Sequence, residues 1–268
     1  MIDLHVHWLP GLDDGAQDEE EFFCMAETAV REGIQTIVGT PHHLNGVYVN
    51  PAEKVLEAEK RARFLLSERG IPLQVRAAQE VHLSSELFSA LANDEILFLD
   101  GRKGRYLLLE LPRHVPPDVD RWIYELRIRG IVPVLAHVER YALFREHPQR
   151  LFTLVERGAV LQVTAGSFAG AFGEDVRTFA VRLAENGWVH LVASDAHRAS
   201  GRRGFYLREA YRILEGILGT EEVLAIHSRA EGILDGREIS AEEGEPFPPV
   251  GKKGVFFARL KNLFGYNQ

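Results

Sequence analysis

The strongest constraint on the fold is an alternation of short apolar segments with amphipathic segments, repeated about seven times along the chain. Strands joined by helical crossovers pair in parallel, so this pattern predicts a parallel α/β sheet or barrel. At 268 residues, 46% of them hydrophobic, the chain is long enough for one complete α/β barrel. The predicted strands span residues 2–6, 35–39, 72–78, 106–109, 131–135, 159–163 and 189–193. The predicted helices span residues 22–33, 51–70, 84–93, 117–130, 148–158, 175–187, 205–218 and 221–228.

The first predicted strand carries two histidines. Leu4 and Val6 alternate with Asp3, His5 and His7, and this period of two is typical of a strand whose faces differ. The two imidazoles then share a face with their Cα atoms about 6.5 to 7 Å apart. They are close enough to bind one metal ion together.

Side chains of the metal-binding type recur where the predicted strands end. Parallel strands bring their carboxyl ends to one rim, where α/β proteins assemble their sites. A further carboxylate, Asp14, lies in the loop after the first strand, and Asp13 beside it could be the ligand instead. The residues on or just after strand ends are His5, His7, His42, Glu80, Glu110, His137, Asp195 and His197.

The type of ligand indicates the metal and the reaction. Carboxylates and imidazoles without cysteine suit Mn, Zn, Fe or Mg, and eight or nine of them are too many for one ion. A shared carboxylate would hold two ions about 3.5 to 4 Å apart. We therefore predict a cluster of two or three divalent metals that activates water for phosphoester hydrolysis.

Composition excludes several other classes of protein. The net charge of -8 argues against nucleic acid as a partner, and with no 18-residue apolar run or signal sequence we expect a cytoplasmic protein. Cys24 is the only cysteine and is predicted to pack in the core. A cysteine-based phosphatase loop, Cys-x5-Arg, would need arginine where the chain has Val30. Six other histidines have no recognisable partner spacing and are interpreted as surface or packed residues: His43, His82, His114, His147, His190 and His227.

Taken together, these motifs resemble the polymerase-and-histidinol-phosphatase (PHP) family of metal phosphoesterases. More narrowly, they resemble the manganese-dependent protein-tyrosine phosphatases of bacterial capsule and exopolysaccharide loci. The resemblance runs essentially from end to end, and its phrase around Asp14 favours that residue over Asp13 as the ligand. The phrases that carry it are Ile2-Asp3-Leu4-His5, Pro10-Gly11-Leu12-Asp13-Asp14-Gly15, Thr40-Pro41-His42-His43, Ala136-His137-Val138-Glu139-Arg140 and Ala193-Ser194-Asp195-Ala196-His197.

The resemblance implies a distorted (β/α)7 TIM-like barrel with three metals, most often manganese, at the carboxyl ends of its strands. It implies that the substrate is a phosphotyrosine protein, since relatives act on a membrane-associated bacterial tyrosine kinase in exopolysaccharide synthesis. By similarity the first metal is held by His5, His7, Glu80 and Asp195; the second by Glu80, Glu110 and His137; the third by Asp14, His42 and His197. Strand geometry alone leaves open whether Asp195 and His197 share one ion.

Two arginines are predicted to bind the phosphate. Arg140 follows His137 by three residues and Arg202 follows His197 by five, and a planar guanidinium suits phosphate oxygens. In the predicted mechanism a metal-bridging hydroxide attacks phosphorus and a phenolate leaves. The tyrosine phenolate, whose ordinary pKa is about 10, is a far better leaving group than a serine alkoxide. Glu139 is interpreted as an ion-pairing residue of the rim.

The chain is predicted to divide into a catalytic domain, 1–235, and a tail, 236–268, that is proline-rich and then basic and aromatic. The tail could dock on the barrel, on an anionic membrane or on a partner. Two alternatives stay open for the function. One is a small-molecule phosphatase of the same fold, acting for example on histidinol phosphate. The other is a non-catalytic metal-binding regulator of a kinase complex.

Overall fold

The computed structural model describes residues 1–239, and the predicted tail from residue 240 onward lies outside the described residues. Within that range no helix is both long enough and apolar enough to cross a membrane. The strands are β1 Ile2–Val6, β2 Thr36–Gly39, β3 His42–His43, β4 Gln74–Ala77, β5 Glu80–His82, β6 Tyr106–Glu110, β7 Val132–Leu135, β8 Val160–Thr164 and β9 Leu191–Ala193. The helices are α1 Glu19–Glu32, α2 Ala52–Glu68, α3 Leu87–Ala92, α4 Val119–Arg127, α5 Ala142–Glu146, α6 Gln149–Glu156, α7 Ala165–Phe168, α8 Glu174–Glu185, α9 Leu207–Leu218 and α10 Thr220–Leu234, with a 3₁₀ turn at Val138–Arg140.

All paired strands run parallel, in the orders β1-β2-β4 and β3-β5-β6-β7-β8-β9. The pairs β2/β3 and β4/β5 are successive parts of two strand runs, so residues 1–239 contain seven strand positions. The sheet curls until its last strand meets its first: the Asp195 amide donates to the His5 carbonyl (2.8 Å) and the His7 amide to the Ala196 carbonyl (2.9 Å). The predicted distorted (β/α)7 barrel is confirmed.

The first strand departs from the predicted alternation. Its register with β2 shifts between Asp3 and Val6, because β1 contains one residue more than the segment of β2 that it pairs with. Leu4 belongs to a hydrophobic cluster formed mostly by strand residues, here called the inner cluster. Val6 belongs to a second, larger cluster that includes the buried faces of the helices, here called the outer cluster. The prediction that Leu4 and Val6 share a face is therefore wrong. The two histidines still converge, with 3.1 Å between their Nε2 atoms.

Helix α10 covers the end of the barrel where the strands begin. Ala230 and Ile233 pack with Leu4, Val160 and Leu191 in the inner cluster. The helix runs six residues past its predicted end at residue 228, to Leu234. This end of the barrel is apolar and closed, so polar groups are concentrated at the opposite end.

Cys24 does not pack in the core as predicted. It is exposed on α1, whose buried side is formed by Phe22, Phe23, Met25 and Ala26. Cys24 lies outside the buried stripe of α1.

Candidate metal centre

The barrel brings all nine predicted metal ligands to the carboxyl ends of its strands. His5 and His7 lie in and just after β1, His42 and Glu80 begin β3 and β5, and Glu110 ends β6. Together with Asp14 and the residues that follow β7 and β9, they surround one space. His5, His7, Glu80, Asp195 and His197 are almost completely buried.

Glu80 is the centre of the cluster. Its Oε1 lies 2.9 Å from His137 Nε2 and 3.4 Å from His5 Nε2. Its Oε2 lies 2.9 Å from His42 Nδ1 and 3.2 Å from His7 Nε2. One buried carboxylate thus faces four imidazoles, which is the geometry expected of a carboxylate that bridges two ions.

Asp195 lies across the space from Glu80. Its Oδ1 is 3.4 Å from the Nε2 atoms of both His5 and His7, and its Oδ2 is 2.6 Å from Arg140 Nη2. Asp195 and His137 both have left-handed backbone angles, with φ of 51° and 41°. Such conformations are uncommon outside glycine and concentrate at functional sites.

Asp14 extends the cluster toward solvent. Its Oδ1 lies 3.2 Å from His197 Nε2 and 3.5 Å from His42 Nε2, while Arg203 Nη1 donates to its Oδ2 (2.7 Å). Arg203 also contacts His197 Nε2. A guanidinium therefore stands between a carboxylate and an imidazole, so this corner of the site accommodates positive charge.

The donor set fits divalent ions. Three of its buried atoms have no partner with hydrogen-bond geometry among the described residues, namely Asp14 Oδ1, His42 Nδ1 and Glu80 Oε2, whereas Asp195 Oδ2 is ion-paired with Arg140. Buried polar atoms are rarely left unsatisfied, and ions held between them would satisfy these. Three groups have ligand atoms within 4.8 Å of one another: His7, Asp14, His42 and His197; His5, His7 and Glu80; and His42, Glu80 and Glu110.

The carboxylates set the protonation of the imidazoles in the protein without metal. Burial alone lowers the pKa of His7, but the carboxylate of Asp13 outweighs it and raises this pKa to about 9. Burial likewise lowers the pKa of His42, but Glu80 and Asp14 raise it to about 11. Burial and the neighbouring His7 lower the pKa of His197 to about 4. Protons therefore occupy part of the space that metals would take.

Three residues outside the nine predicted ligands orient those ligands: Asp13, considered above only as an alternative to Asp14, together with Gln162 and His82. Asp13 Oδ2 accepts from His7 Nδ1 (2.5 Å) and from the His42 amide (3.0 Å). Gln162 Oε1 lies 2.9 Å from His5 Nδ1, and His82 Nδ1 lies 3.0 Å from Glu110 Oε2. The adjacent pair Asp13-Asp14 pointed to Asp13 in the sequence, whereas no sequence pattern pointed to Gln162.

The two predicted phosphate-binding arginines both lie near one aromatic ring. The guanidinium carbons of Arg140 and Arg202 are 5.0 and 5.4 Å from the centre of the Phe172 ring. Arg140 lines a cavity of about 970 Å³ that opens onto the metal cluster, and so does Arg203, whereas Arg202 is not among its lining residues. Burial alone lowers the pKa of Arg140, but Asp195 outweighs it and raises this pKa, so the side chain stays charged.

Glu139 is buried rather than placed on the rim. Its Oε1 accepts from Ser167 Oγ (2.6 Å) and from the Thr164 amide (3.2 Å). These bonds hold the 3₁₀ turn that carries Arg140 against the end of β8.

Comparison with known proteins identifies similar chains. Residues 1–234 match the family described as capsular polysaccharide synthesis, CpsB/CapC. The chain is 42% identical to tyrosine-protein phosphatase YwqE of Bacillus subtilis, over 96% of this chain and 99% of that one. It is 32% identical to the putative tyrosine-protein phosphatase CapC of Staphylococcus aureus, over 90% and 94% of the two chains. Its fold matches one solved chain described under "Crystal structures of YwqE from Bacillus subtilis and CpsB from Streptococcus pneumoniae, unique metal-dependent tyrosine phosphatases", with a TM-score of 0.87, 40% identity, and coverage of 92% of this chain and all of that one.

Proposed function

Because this chain belongs to the CpsB/CapC family of capsular polysaccharide synthesis, we propose that it is a metal-dependent phosphatase that hydrolyses phosphotyrosine in proteins. The observation that carries the proposal is the convergence of nine imidazoles and carboxylates, three of their buried atoms without a hydrogen-bonding partner among the described residues, beside the charged Arg140. This arrangement offers both a place for cations and a place for a phosphate.

The proposed centre holds three divalent ions. Its hard and borderline ligands suit Mn, Zn, Fe or Mg, and the resemblance to manganese-dependent phosphatases favours manganese among these. When bound, such ions acidify water and neutralise phosphate oxygens. Glu80 is the proposed shared ligand. The proposed sets are His5, His7, Glu80 and Asp195; Glu80, Glu110 and His137; and Asp14, His42 and His197.

The chain's own residues have distinct proposed roles. Arg140 binds the phosphate oxygens, since its guanidinium reaches the cavity from beside Asp195. The ring of the substrate packs on the apolar wall formed by Leu111, Val115 and Leu143. The phenolate then leaves with little need of a proton donor, because its pKa is about 10.

The second arginine acts through Phe172 in this proposal. Both guanidiniums lie close to the Phe172 ring, and Arg202 is proposed to support the position of Arg140 through this shared contact. Arg203 lines the cavity itself and is a further candidate for the phosphate.

A substrate panel tests the proposal. Protein stripped of metal and then reloaded with Mn is assayed on a phosphotyrosine peptide, on histidinol phosphate and on a nucleotide. We expect the peptide to be hydrolysed best, with His42→Ala losing at least about 100-fold of that rate. Preference for histidinol phosphate would favour the small-molecule alternative. Metal binding without hydrolysis of any substrate would favour a regulatory role.

The proposed biological substrate is a membrane-associated bacterial tyrosine kinase of the exopolysaccharide pathway, met in the cytoplasm. The test is co-sedimentation of the kinase with the full chain and with a chain ending at Pro249. The tail is proposed to recruit the kinase. Loss of association on truncation would support this recruitment, and unchanged association would contradict it.

A further inference from the structure

The catalytic cavity extends well beyond the metal cluster. Its volume of about 970 Å³ lies near the upper end for pockets that enclose a whole small ligand, which is about 300 to 1,000 Å³. A single phosphotyrosine side chain would leave part of it unfilled. The residues that line the cavity away from the metal cluster, here called the far part, are therefore placed to contact substrate residues next to the phosphotyrosine.

One wall of this far part is the loop between β6 and α4. Arg113 and His114 line the cavity from this loop and are exposed. Among residues 1–239, neither side chain has an ion-pair or hydrogen-bond partner. Arg113 therefore presents to the cavity a positive charge that is unpaired among the described residues, although the chain as a whole has a net charge of -8.

The loop is held in place at both ends. Tyr141 Oη donates to the Leu111 carbonyl (2.8 Å) and accepts from the Leu111 amide (3.0 Å). Arg150 Nη2 donates to the Pro117 carbonyl (3.1 Å). Three prolines at positions 112, 116 and 117 further restrict the backbone. Arg113 thus projects from a backbone that is already ordered, which reduces the entropy lost on binding.

The cavity lining outside the metal cluster contains other charged residues. Arg145 donates to the backbone carbonyls of Glu139 and Arg140 and so serves the 3₁₀ turn. Outside the metal cluster, Glu146 is the one carboxylate among the described residues that line the cavity. Outside the metal cluster the described lining therefore contains four arginines (Arg113, Arg140, Arg145 and Arg203) against this one carboxylate, and the excess of positive charge favours an anion.

We propose that Arg113, assisted by His114, binds a second anionic group on the same polypeptide, next to the phosphotyrosine in the metal centre. This inference rests on the proposed function and narrows its substrates to phosphotyrosine in acidic or multiply phosphorylated sequences. The planar guanidinium suits carboxylate and phosphate oxygens alike, so both sources of the anion fit.

Three peptides that share one phosphotyrosine test this. The first has neutral flanking residues, the second has glutamates there, and the third has a second phosphotyrosine at the same distance. With the Mn-loaded full chain we expect KM to be lowest for one or both anionic peptides. Arg113→Ala should raise KM for these by about fivefold, the effect of one exposed charge pair, and leave the neutral peptide unchanged. Whichever anionic peptide responds identifies the source of the anion.

Two variants serve as controls. Arg113→Lys keeps the charge and should retain part of the preference. Arg121→Ala removes an exposed arginine of α4 that does not line the cavity and should have no effect on any peptide. Equal KM values for all three peptides in the wild type, or equal effects of Arg113→Ala and Arg121→Ala, would overturn the inference while leaving phosphotyrosine hydrolysis intact. Absence of hydrolysis of all three peptides would instead contradict the proposed function.

Discussion

At the scale of single residues, the site depends on pairs in which one side chain faces the cluster and another holds it from behind. His7 faces Glu80 through Nε2 and is held by Asp13 through Nδ1. His5 is held in the same way by Gln162. A hydrogen bond on one ring nitrogen fixes the tautomer and orientation that leave the other nitrogen free for a metal.

This arrangement predicts the effect of Asp13→Asn. The amide cannot replace the charge that Asp13 places beside His7, so we expect Mn affinity to fall about 10- to 100-fold with little change in fold. Calorimetric titration of the stripped protein with Mn measures this. Asp118→Asn is the control, because Asp118 is exposed and makes no side-chain cap to α4. Equal affinities of the two variants would contradict an orienting role for Asp13.

Protonation gives a second prediction at this scale. Because carboxylates raise the pKa of His7 to about 9 and of His42 to about 11, both carry protons at neutral pH without metal. Metal binding must displace these protons, so Mn affinity should rise from about pH 6 to about pH 8, with proton uptake by the buffer. Affinity independent of pH would contradict this.

The raised histidine pKa values make the stability of the metal-free protein fall with rising pH, whereas Mn affinity rises with pH. A raised histidine pKa stabilises the fold fully below the unfolded value of 6.5, and this contribution is lost as the pH rises through the folded value, about 9 for His7. Thermal unfolding in chelator should therefore show Tm falling between about pH 6.5 and pH 9. A rising Tm over this interval would contradict the assignment.

The residue types and their positions at strand ends were enough to predict which nine side chains meet. They could not predict Gln162 or His82, because an orienting partner is selected by proximity in three dimensions and leaves no spacing in the sequence. The position of Arg113 in the cavity is of the same kind.

At the scale of elements, the seven strand positions follow from the apolar segments, but two strands are interrupted. Pro41 follows β2 and has no amide to donate. Gln79 lies between β4 and β5, where its buried side chain donates to the Asn50 and Glu95 carbonyls and accepts from the Leu97 amide. At this point the hydrogen bonds from the Gln79 side chain to neighbouring loops take the place of backbone hydrogen bonds between strands. Short helices such as α5 and α7 were not predicted, since a single turn shows no periodicity.

The loop after β1 yields a prediction at this scale. A Cβ at Gly15 would collide with the backbone carbonyl of His7, which cannot move without shifting the ligand. Gly15→Ala should displace both Asp14 and His7 and abolish tight Mn binding. Gly46→Ala, in the loop after β3, meets no atom within 4 Å and strains only its φ of 82°, so it should cost about 1 kcal/mol and leave Mn affinity unchanged. Retained affinity in Gly15→Ala would contradict the role of this loop.

At the scale of the whole molecule, the barrel separates a structural end from a functional end. Helix α10 fills the end where strands begin, and beyond it the chain stays against the barrel, with Tyr106 Oη donating to the Arg237 carbonyl (2.7 Å). The division at residue 235 stays a prediction, because the chain is described only to residue 239.

This separation predicts that damage to the structural end lowers stability without changing the site. Ile233→Ala removes a fully buried side chain and should lower the free energy of unfolding by about 2 to 5 kcal/mol, measured by denaturant titration. Its Mn affinity, measured on the folded protein, should match the wild type. Leu224→Ala on the same helix, where the side chain is 61% exposed, should change stability by less than about 0.5 kcal/mol. Equal losses in the two variants would contradict the packing of α10.

The proposed metal centre requires that ligands from one rim of the barrel hold divalent ions in a single cluster. Anomalous diffraction from crystals grown in saturating Mn tests it most directly. We expect peaks between Glu80 and its imidazoles and between Asp14 and His197, all lost after chelation. Density without any peak inside this cluster, or with Mn bound only elsewhere on the surface, would contradict it.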